Sequence, residues 1–228
     1  MPIGTIINTL TVVVGSSIGI FIGAKLPGRM QKISFQAIGL CTLFIGVDMA
    51  LKQEHLLLVI VAMVLGGVSG EVLKLEKRFE SFSEWLKRVL RLRQANFTEG
   101  LITAFVLYCI GSMTIVGALE EGLTGNADLL YTKSVLDGIS SVFLASVYGV
   151  GVLFSALPLF LFQGSITWVA GGLENVLTEF VINQMTGVGG LLIVGLGINL
   201  LEMRETKINV TNLLPSLLWV ILLSLWMR

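Results

Sequence analysis

The sequence predicts an all-α, polytopic membrane protein with about eight transmembrane segments, and three observations lead to this prediction. Of the 228 residues, 54% are hydrophobic and 13% are charged, whereas a soluble domain typically carries about 25% charged residues. The mean hydropathy is +0.89. Residues 138–173 form a run of 36 residues without an acidic or basic side chain. The longest charged stretch, residues 74–93, is too short for a second folded domain, so we expect a single membrane domain over residues 1–228.

The run at residues 138–173 is too long for one straight crossing. At about 1.5 Å per residue, a helix of this length would extend roughly 54 Å, well beyond a hydrocarbon core of about 30 Å. We therefore expect the run to enter the bilayer, break and turn, with the break at Pro158 or at the polar Gln163-Gly164-Ser165. Residues 158–175 could then form either a full span or a re-entrant segment.

Six further stretches with few or no charges each suit one helical pass of about 17–25 residues. They are Gly4–Ala24, Ser34–Leu51, His55–Lys74, Gly100–Leu119, Phe180–Leu201 and Ile208–Met227. Strands of a membrane barrel would alternate apolar and polar residues over about ten positions, and no segment of the sequence does so. Splitting the long run in two gives eight passes.

The distribution of lysine and arginine predicts the orientation, because basic residues concentrate in cytoplasmic loops. Basic residues cluster after the first, third and seventh passes, whereas the loops on the other side hold only Lys52 and Lys133. Both termini are therefore predicted outside. Residues 74–97 form an inner-side connector that has the apolar spacing of an amphipathic helix, with Trp85 near its middle. Such a helix could lie on anionic headgroups, or it could be a plain connector.

Two glycine-containing segments predict an inverted repeat. Gly39, Gly46 and Asp48 in the second pass have the same spacing as Gly190, Gly197 and Asn199 in the seventh pass. The predicted orientation places these two passes in opposite directions, as in many secondary transporters. The alternative is a chance match among 26 glycines, since small residues also allow membrane helices to pack closely. Glycine-rich faces of this kind also predict a homo-oligomer.

The candidate site centres on two acidic residues near the long run. Glu120 ends the fourth predicted pass, and Asp137 directly precedes the fifth. At a helix start, Asp137 could cap backbone N–H groups and interact with the helix dipole. Alternatively, both carboxylates could form an outer entrance that attracts cations, with Lys133 as their counter-ion.

Other polar residues could line a path towards the interior. Asp48 is either the partner of Lys52 four residues later or an intramembrane ion site with Asn199 opposite. The amide of Gln163 and the hydroxyl of Ser165 could replace part of a solute's hydration. The predicted substrate or ion pathway comprises Asp137, Glu120, Asp48, Asn199, Gln163, Ser112, Ser140, Ser165 and Lys133.

Several motifs resemble those of a known family. They are Gly111-Ser112-Met113, Gly117-Ala118-Leu119-Glu120-Glu121-Gly122, Lys133-Ser134-Val135-Leu136-Asp137-Gly138, Ser155-Ala156-Leu157-Pro158 and Gln163-Gly164-Ser165. They are similar to the YqgA/YdfK-like family of uncharacterised bacterial inner-membrane proteins, over nearly the whole chain. One departure is Glu121, where the family pattern has Asp. The resemblance implies the bacterial inner membrane and a transport label, but no defined activity.

The sequence argues against an enzyme. It contains one histidine, His55, so a multi-histidine metal site is excluded, and no P-loop motif is present. We expect no cofactor, no protein-bound metal and no nucleic-acid partner. The leading hypothesis is a secondary transporter or channel for an ion or small solute. The alternative is a non-transporting membrane scaffold or sensor accessory, in which the polar groups only hold helices together.

Overall fold

The computed structural model describes residues 2–25, 27–89, 97–109, 112–173, 176–201 and 207–227. Within these residues the chain forms twelve helices and no strand, which confirms the all-α prediction. The helices are α1 (Ile3–Gly23), α2 (Gly28–Ala50), α3 (Leu56–Val72), α4 (Leu75–Val89), α5 (Phe97–Cys109), α6 (Ser112–Thr124), α7 (Asp128–Tyr148), α8 (Val150–Phe154), α9 (Ala156–Leu173), α10 (Glu179–Leu200), α11 (Val210–Leu213) and α12 (Ser216–Trp226).

Helix length and composition support a membrane location. In the described part of the chain, three helical segments are long and apolar enough to cross a bilayer: Ile3–Gly23, Val150–Leu173 and Glu179–Asn199. A fourth candidate is the pair α5 and α6, which bend by 56° relative to each other at a short break. Three shorter apolar helices are Gly39–Ala50, Leu56–Val72 and Val210–Trp226.

Large apolar side chains are exposed along many of these helices. Phe44 and Trp168 are each 76% exposed, and Trp226 is 85% exposed. A soluble monomer rarely shows wide contiguous apolar surface, whereas a helix that faces lipid does. The exposed apolar side chains therefore agree with the high hydrophobic content of the sequence, and both indicate a membrane protein.

The described residues divide into two compact units, each built from two separate stretches of chain. The first unit contains Met1–Ser34 and Glu99–Thr178, and the second contains Phe35–Thr98 and Glu179–Arg228. The first unit thus holds α1 and most of α5 through α9, and the second holds most of α2, then α3, α4 and α10 through α12.

In the first unit, α1 and α7 pack side by side in the same direction. A Cβ atom added at Gly15, Gly19 or Gly23 would collide with the backbone carbonyl of a residue on α7, and these residues are Gly138, Val142 and Ser146. Glycine at every fourth position lets two backbones approach this closely. The order of the contacts shows that α1 and α7 are parallel over most of their lengths.

The break in the long uncharged run lies at Gly149, which corrects the prediction of a break at Pro158 or at residues 163–165. Gly149 has a φ of 69°, a left-handed conformation that glycine adopts at low cost. Pro158 instead lies in the first turn of α9, close to the minor interruption at Ser155 between α8 and α9. Because proline removes the hydrogen bond to the fourth preceding carbonyl, it accounts for that interruption without ending the helical segment.

In the second unit, two helix pairs pack antiparallel through glycines. On α2, Gly46 contacts the backbone of Gly190 and Val194 on α10, and Leu43 lies against Gly197. On α3, Gly66 contacts Ser216 and Gly70 contacts Asn212. In both pairs, residue numbers that increase along one helix contact residue numbers that decrease along the other, so the two helices are antiparallel.

The amphipathic connector begins at a tight turn beside α11. Lys74 between α3 and α4 has a φ of 51°. The side chain of Asn212 donates to Glu71 Oε2 at 2.6 Å and accepts from the backbone N–H of Glu76 at 2.9 Å. One amide therefore ties the end of α3 to the start of α4.

Candidate functional site

The first unit contains a buried ion pair within one helix. Lys133 and Asp137 lie four residues apart on α7, so that their side chains share a helix face. Lys133 Nζ is 2.8 Å from both Asp137 Oδ1 and Asp137 Oδ2. The two residues are 6% and 5% exposed. A charge in such an environment is costly unless it is paired and hydrogen-bonded, and each of these charges is the partner of the other.

Two amide side chains link this ion pair to neighbouring helices. Asn8 on α1 donates its Nδ2 to Asp137 Oδ2 at 3.0 Å and to Gln163 Oε1 on α9 at 3.2 Å. Both amide residues have no exposed surface. Lys133, Asp137, Asn8 and Gln163 therefore form one continuous polar chain across α7, α1 and α9.

A second set of hydrogen bonds flanks Asp137 on the side of α5. The hydroxyls of Tyr108 and Ser141 are 2.9 Å apart, and Ser141 Oγ donates to the backbone carbonyl of Asp137 at 2.6 Å. Thr114 Oγ1 on α6 donates to the carbonyl of Tyr108 at 2.6 Å. This last contact satisfies a carbonyl at the end of α5, where the helix offers no backbone partner.

Glu121 on α6 lies at the start of α1. Its Oε1 accepts from the backbone N–H of Gly4 at 2.7 Å, and the residue is 6% exposed. A carboxylate is favoured there because the N-terminal turn of a helix has unpaired N–H groups and a positive partial charge.

Four buried polar atoms in this region have no hydrogen-bond partner among the described residues. They are Thr5 Oγ1, Asn8 Oδ1, Glu121 Oε2 and Gln163 Nε2. An unpaired buried polar atom costs about 1–3 kcal/mol, and native proteins contain few of them. Five further atoms of this kind lie at other positions of the described chain, but these four lie on helices that pack around the Lys133–Asp137 pair, so we take this region as the candidate binding site. We call the residues Thr5, Asn8, Glu121, Lys133, Asp137 and Gln163 the polar cluster.

Three predicted site residues, Asp137, Lys133 and Gln163, come together in the polar cluster. The interpretation of Asp137 as a helix cap was wrong, because Asp137 lies about halfway along α7 rather than at its start. Lys133, the predicted counter-ion of the carboxylates, forms a direct ion pair with Asp137 in the structure. Gln163 reaches the pair only through Asn8.

The other predicted residues of the first unit lie outside the polar cluster. Glu120 is half-buried and accepts from Asn126 Nδ2 at 2.9 Å in the α6–α7 loop. Ser140 and Ser165 donate to backbone carbonyls of their own helices, and Ser165 is exposed. The side chain of Ser112 lies outside the described part of the structure.

Asp48 and Asn199 belong to the second unit, where their contacts are local. Asp48 pairs with Lys52 at 3.1 Å, and its side chain is 61% exposed. Asn199 donates to the carbonyl of Ile208 and accepts from the N–H of the same residue, both at 2.7 Å. The structure therefore does not show Asp48 and Asn199 as a polar pair that faces an interior.

Sequence reasoning missed Asn8, Glu121 and Tyr108. Asn8 has the clearest signal, since it is the single amide within an uncharged first pass. Glu120 and Glu121 are adjacent, and the sequence alone does not show that Glu121, and not Glu120, is the buried member of the two. Tyr108 carries no pattern that would distinguish it from an ordinary core aromatic residue.

Among the residues that the structure describes, no group of three or more His, Cys, Asp or Glu side chains could hold a metal ion. The polar cluster offers one ion pair, one further carboxylate and neutral oxygen and nitrogen atoms. Such a set can replace the hydration shell of a small polar solute or an ion.

Comparisons with known proteins assign the family but no activity. A family model described as "Protein of unknown function (DUF554)" matches residues 3–225. The chain belongs to this family. It is 38% identical to the uncharacterized membrane protein YdfK of Bacillus subtilis, over 94% of this chain and 92% of that protein. It is 30% identical to the uncharacterized protein YqgA of Escherichia coli, over 98% of this chain and 97% of that protein.

The predicted resemblance to the YqgA/YdfK-like family is thereby confirmed over nearly the full length. No solved structure matches the chain.

Proposed function

We propose that this DUF554 member is a small secondary transporter or channel for an ion or small solute across the bacterial inner membrane. The observation that carries the proposal is the polar cluster, in which a buried Lys133–Asp137 pair joins three helices through Asn8 and Gln163. Ionisable groups inside membrane helices are costly and commonly mark ion or substrate pathways.

The unpaired atoms of the polar cluster support binding over a purely structural role. If the cluster existed only to hold helices together, its donors and acceptors would be expected to satisfy one another. Gln163 Nε2 and Asn8 Oδ1 instead remain without partners in the described structure. A passing solute or water could occupy both.

We propose eight membrane passes, with α7 as the fifth. Lys133 and Asp137 of α7 neutralise each other inside the protein. Their charges therefore do not prevent α7 from crossing the bilayer. Because α7 follows α1 side by side, a bilayer that surrounds α1 also surrounds α7. Two parallel passes must be separated by an odd number of crossings. The proposed crossings between α1 and α7 are α2, α3 and the bent pair α5–α6, which make three, an odd number.

The antiparallel pairs of the second unit agree with the same count. On the eight-pass topology, α2 and α10 are passes two and seven, and α3 and α12 are passes three and eight. Each pair is therefore predicted to run in opposite directions, and the glycine contacts between them are antiparallel. These directions agree with the opposite orientation that the proposed inverted repeat requires of passes two and seven, and an even number of passes places both termini on one side, which the basic residues predict to be the outside.

No chemical step is assigned to the polar cluster, and we propose that the protein is not an enzyme. Uphill transport would draw on an ion gradient or on a separate motor subunit. The proposed partners are the lipid bilayer, the transported ion or solute and further copies of the chain in a homo-oligomer.

The proposal is tested by flux into liposomes that contain the purified protein, with a panel of ions and small acids. The variant Asp137→Asn removes the central carboxylate, whereas Asp128→Asn makes the same chemical change at the exposed start of α7. We expect wild type and Asp128→Asn to support flux and Asp137→Asn to lose at least 90% of it while keeping its oligomer size. Equal flux in all three proteins would exclude a pathway through the polar cluster.

The alternative function, a non-transporting scaffold or sensor accessory, has its own expected outcome. Wild-type liposomes would then show no flux for any solute of the panel, and the protein would co-purify with a partner. Under this alternative the functional element would be helix α4, whose start is linked to the end of α3 by the hydrogen bonds of Asn212.

A further inference from the structure

Three buried oxygen atoms that have no partner among the described residues lie in the first two turns of α1 or beside its start. They are Thr5 Oγ1, Asn8 Oδ1 and Glu121 Oε2. Thr5 and Asn8 have no exposed surface, and Glu121 is 6% exposed. Carboxylate, amide and hydroxyl oxygens are the ligands that hard cations prefer in proteins.

Local contacts bring the three residues that carry these oxygens to the first two turns of α1. The bond from the N–H of Gly4 to Glu121 Oε1, at 2.7 Å, fixes the carboxylate beside the first turn of α1. Thr5 is the next residue along that turn. Asn8 follows three residues later, on the same face of the helix.

This face of α1 is directed towards α9. Asn8 Nδ2 lies 3.2 Å from Gln163 Oε1, and a Cβ atom added at Gly164 would lie 3.9 Å from Thr5 Cγ2. Helix α6, which carries Glu121, also packs against α9, because a Cβ atom added at Gly122 would lie 2.5 Å from Ala170 Cβ. Thr5, Asn8 and Glu121 therefore lie on helices that meet at the junction of α1, α6 and α9.

The positive end of the α1 dipole, about half an elementary charge, offsets only part of the carboxylate charge at this junction. Lys133 is fully engaged with both oxygens of Asp137, so that this pair contributes no net charge. Among the described residues, Glu121 forms no ion pair with a basic side chain. Its only described partner is the neutral backbone N–H of Gly4. Burying a single ionised carboxylate is costly unless a positive charge accompanies it.

We propose that Thr5, Asn8 and Glu121 bind a monovalent alkali cation, Na⁺ or K⁺. One carboxylate and two neutral oxygens balance a single positive charge. A divalent cation would leave an excess positive charge beside a single carboxylate, and no group of three or more His, Cys, Asp or Glu side chains is found among the described residues. Water or backbone carbonyls would complete the coordination shell.

The site deepens the proposed function. Binding of the cation does not depend on transport, whereas its role as the transported or coupling ion rests on the proposal that the protein is a transporter or channel. The experiments that follow measure binding and flux separately.

Binding is measured by thermal unfolding of the full-length protein in choline chloride at constant ionic strength. Replacing choline by Na⁺ or K⁺ should raise the midpoint in a saturable way, by roughly 4 °C or more at saturation. Glu121→Gln should abolish the rise. Glu120→Gln is the matched control, because the neighbouring carboxylate bonds Asn126 at the loop and its loss should leave the rise unchanged.

Thr5→Val provides a second variant that removes one ligand oxygen with little change in volume. It should raise the half-saturating cation concentration by at least fivefold without loss of the fold. The proposal is overturned if neither cation shifts the wild-type midpoint, or if Glu121→Gln and Thr5→Val both respond like wild type.

Flux distinguishes failure of the site from failure of the proposed function. A saturable shift in a protein that supports no flux retains the cation site and rejects transport. Flux without any shift retains transport and rejects the site, and the unpaired oxygens would then be hydrated by water alone.

Discussion

At the scale of single residues, Lys133 and Asp137 form a buried ion pair inside the first unit. Each would be costly to bury alone, and their spacing on α7 lets each neutralise the other. Asn8 then connects the pair to α9. The pair was recognisable in the sequence as lysine and aspartate four residues apart. Asn8 and Gln163 lie 155 positions apart, so that only the fold could reveal their contact.

Removing one member of the pair should be far more harmful than removing both. Lys133→Met leaves a buried carboxylate without its cation, and we expect a loss of about 3–5 kcal/mol in unfolding free energy. The double variant Lys133→Met/Asp137→Leu should recover most of that loss, since an apolar pair of similar volume is often neutral. Denaturant unfolding in detergent micelles measures both. A loss below about 1 kcal/mol for Lys133→Met would show that the pair is hydrated.

At the scale of helices, glycine contacts fix which elements pack and in which direction. Gly15, Gly19 and Gly23 of α1 all meet backbone carbonyls of α7. The parallel direction of the two helices follows from the order of these contacts. The close approach also permits weak Cα–H···O contacts between the helices.

A large side chain on this stripe should force α1 and α7 apart. Gly19→Leu would collide with the carbonyl of Val142, and such overpacking costs about 1–3 kcal/mol or more. Gly171 on α9 has no atom within 4 Å of an added Cβ. Gly171→Leu should therefore be neutral or stabilising, because leucine favours a helix over glycine by up to about 1 kcal/mol. Thermal unfolding should show a lower midpoint for Gly19→Leu but not for Gly171→Leu, and an equal loss in both variants would contradict the assigned contact.

The sequence predicted individual helices well where a hydrophobic run matched one pass. Gly4–Ala24 and Phe180–Leu201 differ by one residue at each end from α1 and α10, because bilayer thickness limits such runs. The prediction failed for α7, which begins ten residues before the uncharged run. Its charged residues were interpreted as a loop, since their compensation inside the protein cannot be read from hydropathy. The turn at Gly149 was missed because several glycines in the run were equally plausible.

At the scale of the whole molecule, helix directions constrain the membrane topology. The parallel pair α1 and α7 places the starts of both helices on the same side. Eight passes satisfy this condition together with the antiparallel pairs of the second unit. The distribution of basic residues independently predicts which side is cytoplasmic.

Single cysteines labelled in intact cells test this topology, in a background of Cys41→Ser and Cys109→Ala. We expect Asn126→Cys, before α7, to react with a membrane-impermeant reagent from outside. Ser81→Cys on α4 should react only after the membrane is permeabilised. Reaction of both positions from the same side would contradict the parallel passage of α1 and α7 through the membrane.

Transport requires the polar cluster to lie on a wet path through the protein, and the access of water to Gln163 decides this claim. In the same cysteine-free background, Gln163→Cys in liposomes should react with a small charged thiol reagent, because aqueous access ionises the thiol. Ser165→Cys, two residues later on the exposed apolar side of α9, should react at least tenfold more slowly in lipid. Failure of Gln163→Cys to react from either side of the membrane would show that the cluster is dry and would contradict the claim.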